Sequence, residues 1–164
     1  MIFIRIIIIL FITEIILSFL RSFRRRSEFK KALKLKEKTG KPLLVIGSPF
    51  TGGHNTIIGT DYDCGDICID LIGCDSCKKS VKTDALVYLK KLPSNSHVIY
   101  ESCVLENIED KLIVNKIIKE IKRVSGGDYI NVRVGFAIVN YFYLPHFYDK
   151  SSQNFFRSGE LLKY

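Results

Sequence analysis

The sequence predicts an α/β domain with a mostly parallel sheet, preceded by one transmembrane helix and a basic stalk. Three observations support this prediction. The first 20 residues are almost wholly apolar, short apolar runs bounded by glycine or proline recur along residues 42–164, and an amphipathic helical pattern separates the last two of those runs. Apolar strands that alternate with helices and loops are typical of a parallel sheet covered on both faces.

Residues 1–20 are predicted to span a membrane. Sixteen of them are apolar, and the exceptions are Arg5, Thr13, Glu14 and Ser18. A helix of about 20 residues crosses the hydrocarbon core of a bilayer. A cleaved signal peptide would carry its positive charges before the apolar run, whereas here arginines follow it at positions 21 and 24–26. Flanking arginines stay in the cytosol, which predicts a single-pass membrane protein whose soluble domain faces the cytosol.

The net charge of +8 lies entirely beside that segment. Residues 21–41 carry ten basic and two acidic side chains, whereas residues 42–164 carry fourteen of each. A nucleic-acid-binding domain would carry the positive excess itself, so no nucleic-acid partner is expected. Basic residues next to a membrane span bind anionic lipid headgroups. That is the role predicted for residues 21–41, with the bilayer itself contacted by residues 1–20.

The soluble elements follow one another along residues 27–139. Helices are predicted from their apolar spacing and from closing glycines at residues 27–39 and 108–124. Short apolar runs predict buried strands at residues 43–46, 67–72 and 98–100, and residues 129–139 are rich in strand-forming side chains. Residues 42–164 are therefore expected to form one domain.

One edge of this sheet is the expected ligand site, because the carboxyl ends of parallel strands meet there. The candidate residues at this edge are Gly47, Gly52, Gly53, Asp70, Asp84 and Glu101. The three glycines follow the first strand, whereas Asp70 and Glu101 stand at or just after strand ends. Topology should bring all six together although they are far apart in the chain.

The order of features from Pro42 to Val139 resembles the class I S-adenosylmethionine-dependent methyltransferases. The best stretch runs from Asp84 through the turn at Leu92-Pro93 and the strand at residues 98–100 to the sequence Val104-Leu105-Glu106. It is similar to the third and fourth motifs of that family, in which an acidic residue, a turn, a strand and a helix entry follow in this order. The resemblance implies a Rossmann-like sheet and S-adenosyl-L-methionine as cofactor.

The resemblance also implies a role for each residue at the predicted edge. The three glycines would let the backbone approach the cofactor closely. Asp70 would accept hydrogen bonds from the ribose hydroxyls, and Asp84 would contact the adenine amino group. Glu101 would act as a polar or basic group toward the methyl acceptor.

Two departures from the family pattern leave the activity open. The first glycine motif is replaced by Val45-Ile46-Gly47-Ser48-Pro49-Phe50, which lacks an acidic residue and contains a proline. Only 25 residues follow position 139, too few for the family's last helix and hairpin. One interpretation is a methyltransferase-like protein, active or degenerate. The other is a non-enzymatic, membrane-tethered binding or scaffold protein that retains the fold.

The cysteines suggest a rival site. Four of them form the pattern Cys64-x3-Cys68-x5-Cys74-x2-Cys77, and four-thiolate zinc sites use closely spaced pairs. Only the last two have standard ligand spacing, however, and Cys68 lies within a predicted strand. We therefore expect these four cysteines and Cys103 to be reduced, mostly packing residues, with no bound metal.

Overall fold

A computed structural model of the chain describes residues 2–47, 64–71, 73–74, 77–102, 104–105 and 108–132. The elements are α1 (Ile2–Thr39), β1 (Leu43–Ile46), β2 (Ile67–Asp70), β3 (Ser80–Lys82), α2 (Ala85–Leu89), β4 (Val98–Ser102), α3 (Lys111–Ser125) and β5 (Tyr129–Val132). The chain divides into two compact units. One comprises Arg26–Arg133, and the other includes the residues up to Arg25.

The five strands form one sheet in the order β3-β2-β1-β4-β5, and every neighbouring pair is parallel. This confirms the predicted α/β class with a parallel sheet. The chain moves outward from β1 through β2 to β3, and then returns to place β4 on the other side of β1. Such a reversal makes the β1/β4 boundary a topological switch point, where open α/β sheets bind their ligands.

Alternating side chains supply a core on each face of the sheet, as the two-residue period of a strand requires. Leu43 and Val45 lie in one buried cluster, whereas Leu44 and Ile46 lie in a second. The second half of α1 packs against the first cluster, and α2 with α3 packs against the second. The sheet is therefore covered on both faces, which explains why β1 is wholly apolar.

The second half of α1 belongs to the domain core. Phe29 and Ala32 are buried in the first cluster, and the Phe29 ring meets Tyr100 edge to face with centroids 5.2 Å apart. Lys36 Nζ also forms a 2.7 Å ion pair with Asp66 Oδ1, just before β2. The sequence placed the domain boundary at position 42, with residues 21–41 as a stalk. In the structure the compact unit that holds the sheet runs from Arg26 to Arg133, and the apolar stripe in the second half of this helix is buried against the sheet.

The first half of α1 carries exposed apolar side chains. The large ones are Ile4, Ile6, Ile7, Ile8, Ile9, Leu10, Phe11, Ile12, Ile15, Ile16, Phe19 and Leu20. The sequence predicted a transmembrane span over residues 1–20. Among the described residues, however, no helix combines the length and apolarity needed to cross a membrane.

Helix α3 confirms the amphipathic pattern, with its bounds shifted. The side chain of Asp110 accepts a hydrogen bond from Leu112 N at 2.7 Å and so caps the helix, which begins at Lys111 and not at position 108. Gly126, with φ of 66°, closes its carboxyl end in the left-handed conformation that glycine adopts freely. These two caps fix where the chain enters β5.

Candidate functional site

Gly47 directly follows β1 at the switch point and lies against the end of β4. Its amide donates to Ile69 O of β2 at 2.9 Å, and its φ is +98°. A β-carbon here would collide with the carbonyl oxygen of Ser102 and lie 2.6 Å from Val104 Cγ2. The space beside Gly47 is thus filled by the protein's own chain. Glycine is required here by strand packing, a reason different from the cofactor approach that the resemblance implied.

Glu101 lies in β4, beside Ile46 of β1, and its side chain is completely buried. Its Oε1 accepts hydrogen bonds from Val104 N at 2.8 Å and from Leu105 N at 3.2 Å. These bonds satisfy two backbone donors where the chain turns out of the sheet. The carboxylate predicted to act on a methyl acceptor therefore organises the turn after β4, at the switch point itself.

The two predicted aspartates occupy different environments at the same edge. Asp70 ends β2 and is partly buried, and its carbonyl accepts from Thr83 N at 3.0 Å. Asp84 is exposed, and its Oδ1 accepts from Val87 N at 2.9 Å as the N-cap of α2. Asp70 is thus placed where a strand-end ligand contact is expected, whereas Asp84 has a local structural task. Gly52 and Gly53 lie outside the described residues.

The four clustered cysteines are brought together, contrary to the expectation of separate, reduced packing residues. Cys64 is bonded to Cys77 with an S–S distance of 2.12 Å, and Cys68 is bonded to Cys74 at 2.14 Å. From the sequence alone Cys68 is an isolated residue of a strand, whereas in the structure Cys74, which follows β2, lies in the same buried cluster as Cys68. The signal was available in the presence of four cysteines within fourteen positions.

Polar groups also gather at the opposite, amino edge of the sheet. Lys41 Nζ binds Asn95 Oδ1 and Asp128 Oδ2, each at 2.7 Å, and so links the segments before β1, β4 and β5. Asp66 Oδ2 accepts from Leu43 N at 2.7 Å. Because these groups precede the strands, they lie at the edge of the sheet opposite the switch point. Their contacts stabilise the fold.

Two of the groups at this edge have shifted pKa values. Partial burial opposes ionisation of Asp66, but its hydrogen bonds from Lys36 and Leu43 and the charges of Lys36 and Lys79 outweigh it and lower the pKa of the carboxyl. Burial lowers the pKa of His97, and the nearby charge of Asp66 offsets this only in part. Ser96 Oγ lies 2.8 Å from His97 Nδ1.

We expect His97 to make the domain less stable in mild acid. Since its pKa is lower folded than unfolded, the unfolded chain takes up a proton first as the pH falls below about 6.5. The free energy of unfolding is therefore undiminished above that pH, and it decreases as the pH falls toward the pKa of His97 in the folded domain. Urea unfolding at pH 7.5 and pH 5.5 measures this loss, which should be smaller in His97→Gln. Asp66 loses its own contribution to stability only in stronger acid, below its usual pKa of about 3.9. An equal loss of stability in His97→Gln and wild type would therefore show that His97 is not the cause.

Comparisons with known proteins add no family to this description. No protein-family model matches the sequence, and neither the curated proteins nor the solved structures searched contain a significant match. What the chain shows by itself is an α/β unit with a five-stranded parallel sheet and a switch point formed by the ends of β1 and β4.

Proposed function

We propose that this chain is a membrane-tethered, methyltransferase-like protein whose α/β unit binds S-adenosyl-L-methionine at the β1/β4 switch point. The observation that supports the proposal best is the strand order β3-β2-β1-β4-β5 with all pairs parallel. This is the order of doubly wound nucleotide-binding sheets, in which the nucleoside lies across the reversal in strand order. The motif order from Pro42 to Val139 supplies the choice of cofactor.

The described residues fit this cofactor in part. Asp70 offers a carboxylate at the tip of β2, the strand next to β1, where an acceptor for two ribose hydroxyls is needed. Gly47 does not offer open space, since Ser102 and Val104 fill it. When bound, the cofactor supplies an electrophilic methyl group for in-line transfer to a nucleophile. The protein's contribution would be to hold the reactants in line.

Glu101 would serve this reaction as a positioning residue. Its Oε1 is engaged by the amides of Val104 and Leu105, so it holds the turn that forms one wall of the switch point. A direct action of Glu101 on the methyl acceptor stays a prediction from the resemblance.

The membrane tether in this proposal would be the first half of α1. Its exposed isoleucine, leucine and phenylalanine side chains would be costly in water and favourable in lipid. The arginines at positions 21 and 24–26 would keep the α/β unit on the cytosolic side, near anionic headgroups. Recovery of the full chain in the soluble fraction of lysed cells, and its absence from sedimented membranes, would contradict this part of the proposal.

A non-enzymatic scaffold is the second candidate, and a specific observation favours it. Two of the carboxylates assigned to ligand or acceptor already have backbone partners: Asp84 caps α2, and Glu101 accepts from the turn after β4. A fold can keep such residues for stability alone. The tether would then serve to hold a binding surface at the membrane.

Cofactor binding separates the two candidates. Hydrogen bonds to a charged acceptor contribute roughly 1.5–3 kcal/mol each, so Asp70→Ala should weaken S-adenosyl-L-methionine binding about tenfold or more. Isothermal titration of the full chain in detergent measures this. Asp128→Ala is the matched control, because Asp128 precedes β5 at the amino edge and pairs with Lys41; it should leave affinity unchanged.

Stability measurements complete that experiment. Asp84→Ala should lower helix stability by about 1 kcal/mol through loss of the cap, with a smaller effect on affinity than Asp70→Ala. Thermal unfolding of each variant shows whether it remains folded at the titration temperature. If the wild-type protein is folded yet binds no S-adenosyl-L-methionine at millimolar concentration, the methyltransferase proposal is wrong and the scaffold proposal is favoured.

A further inference from the structure

Four cysteines pair in two disulfide bonds beside β2: Cys64 precedes this strand, Cys68 lies in it, and Cys74 and Cys77 follow it. The Sγ atoms of Cys68, Cys74 and Cys77 all lie within 4.8 Å of one another, although Cys77 is bonded to neither of the other two. Cys64 joins the cluster through its 2.12 Å bond to Cys77. The two cross-links are thus packed side by side, and they are nested in sequence, since the bond from position 64 to 77 encloses the bond from 68 to 74.

This spacing is close to what a tetrahedral metal site requires. Zinc–thiolate bonds of about 2.3 Å place the sulfurs of a four-cysteine site about 3.8 Å apart. The sulfurs of Cys68, Cys74 and Cys77 already lie within 4.8 Å of one another, and the sulfur of Cys64 is bonded to that of Cys77. Once both S–S bonds are reduced, side-chain rotations would be needed to arrange the four thiolates around one ion.

Hydrogen bonds of the backbone amides also hold three of the four cysteines. Cys77 N donates to Cys74 O at 2.9 Å. Cys74 N donates to Ser80 Oγ at 2.7 Å, and this bond ties Cys74 to the start of β3. Cys68 is held by the sheet, where its amide donates to Lys79 O at 2.9 Å.

Burial and charge suit the same ligand. Cys68 and Cys74 are fully buried, and Cys77 packs against the same cluster, so the site would be closed to solvent on most sides. A zinc ion with four thiolates carries a net charge of −2. The exposed lysines Lys78 and Lys79 follow Cys77 directly in the chain and supply compensating positive charge.

We propose that the reduced chain binds one Zn²⁺ through the thiolates of Cys64, Cys68, Cys74 and Cys77, and that the disulfide-bonded cluster is the oxidised, metal-free state. The oxidant is a small-molecule disulfide such as glutathione disulfide. Two such molecules accept two electrons each and take up four protons to become four thiols. The four cysteine thiolates lose those four electrons to form the two S–S bonds, and Zn²⁺ is released.

The proposal is independent of methyl transfer, but it places a redox-sensitive element next to the switch point. Cys68 Sγ lies 3.8 Å from Gly47 O, at the end of β1. A change of Cys68 from a metal-bound thiolate to a disulfide would therefore alter the surroundings of the Gly47 carbonyl. This contact links the state of the cluster to the part of the sheet where a ligand is proposed to bind.

Metal analysis of the full chain tests the proposal. Protein produced with added zinc and purified in detergent with a non-thiol reductant should contain one zinc per chain by elemental mass spectrometry. Replacement of zinc by Co²⁺ should give the visible absorption of a tetrahedral, sulfur-rich site. Cys77→Ser should lose the stoichiometric zinc and this spectrum, whereas Cys103→Ser, outside the motif, should retain both.

A second variant tests whether misfolding explains a loss of zinc, and an oxidation experiment tests the release of zinc. Cys64→Ser removes a less buried ligand and leaves three thiolates, so it should stay folded by circular dichroism while binding Zn²⁺ at least tenfold more weakly. Glutathione disulfide added to the wild-type protein should release zinc, and the denatured, metal-free polypeptide should then be lighter by four hydrogens than the metal-free reduced polypeptide. Reduced wild-type protein that stays zinc-free after incubation with zinc and gel filtration, that holds iron instead, or that loses no affinity in Cys64→Ser and Cys77→Ser would overturn the proposal.

Discussion

Gly47→Ala is expected to lower the free energy of unfolding by about 2–6 kcal/mol. Two costs add at this position. A non-glycine residue at φ of +98° is strained by roughly 1–3 kcal/mol. The new methyl group would also meet the Ser102 carbonyl and the Val104 side chain, and forcing atoms into a packed site costs about 1–3 kcal/mol. Because the Ser102 carbonyl is backbone at the end of β4, the collision can be relieved only by separating β4 from β1.

Gly127→Ala is the matched control for this substitution. Gly127 has a similar φ of +103°, but no atom of the described residues lies within 4 Å of its β-carbon position. It should therefore show the backbone strain alone, about 1–3 kcal/mol. Urea unfolding followed by circular dichroism measures both variants. Equal losses in the two would mean that backbone strain, and not the contact between β1 and β4, accounts for the glycine.

Glu101→Ala should cost a comparable amount, about 3–5 kcal/mol. The substitution removes the acceptor for Val104 N and Leu105 N, and a buried donor left unsatisfied costs about 1–3 kcal/mol. It also leaves a cavity, since the glutamate side chain is completely buried. The loss should appear as a lower urea midpoint without a change in the steepness of the transition.

Glu101→Gln separates the positioning role from an acid–base role. The amide oxygen of glutamine can still accept from Val104 N and Leu105 N, so most of the stability should return, with a residual loss of about 1 kcal/mol. Glutamine cannot take up a proton as a carboxylate does. If methyl transfer is found, full activity in Glu101→Gln supports positioning, and a stable but inactive variant would assign Glu101 to the chemistry instead.

Much of the fold could be predicted because it depends on local patterns. The apolar run Leu43–Ile46 is a buried strand in the structure, and β4 begins at the predicted residue, Val98. The apolar spacing of α3 likewise matches its buried side, formed by Ile117, Ile121 and Val124. Strands and helices leave such periodic signals within a few residues. Helix α2 and strand β3 are short, with mostly half-exposed residues, and they leave weaker ones.

The candidate site could be predicted only as a set of positions. The sequence placed Gly47, Asp70 and Glu101 at strand ends, and the parallel sheet brings those ends to one edge. It did not show that Asp84 and Glu101 have backbone partners, because a hydrogen bond to an amide three residues away depends on how the chain turns. A strand-end carboxylate looks the same in sequence whether it binds a ligand or caps a helix.

The sequence by itself determined the α/β class, the position of the main strands and helix α3, and the concentration of charge in residues 21–41, since all of these follow from composition and short periodicities. Tertiary structure alone decided that Phe29 packs on Tyr100 and that four cysteines pair in two neighbouring disulfide bonds. It also decided that Gly47 must be glycine because of Ser102. These contacts join segments far apart in the chain, and their geometry is set by strand order and register, which no local pattern encodes.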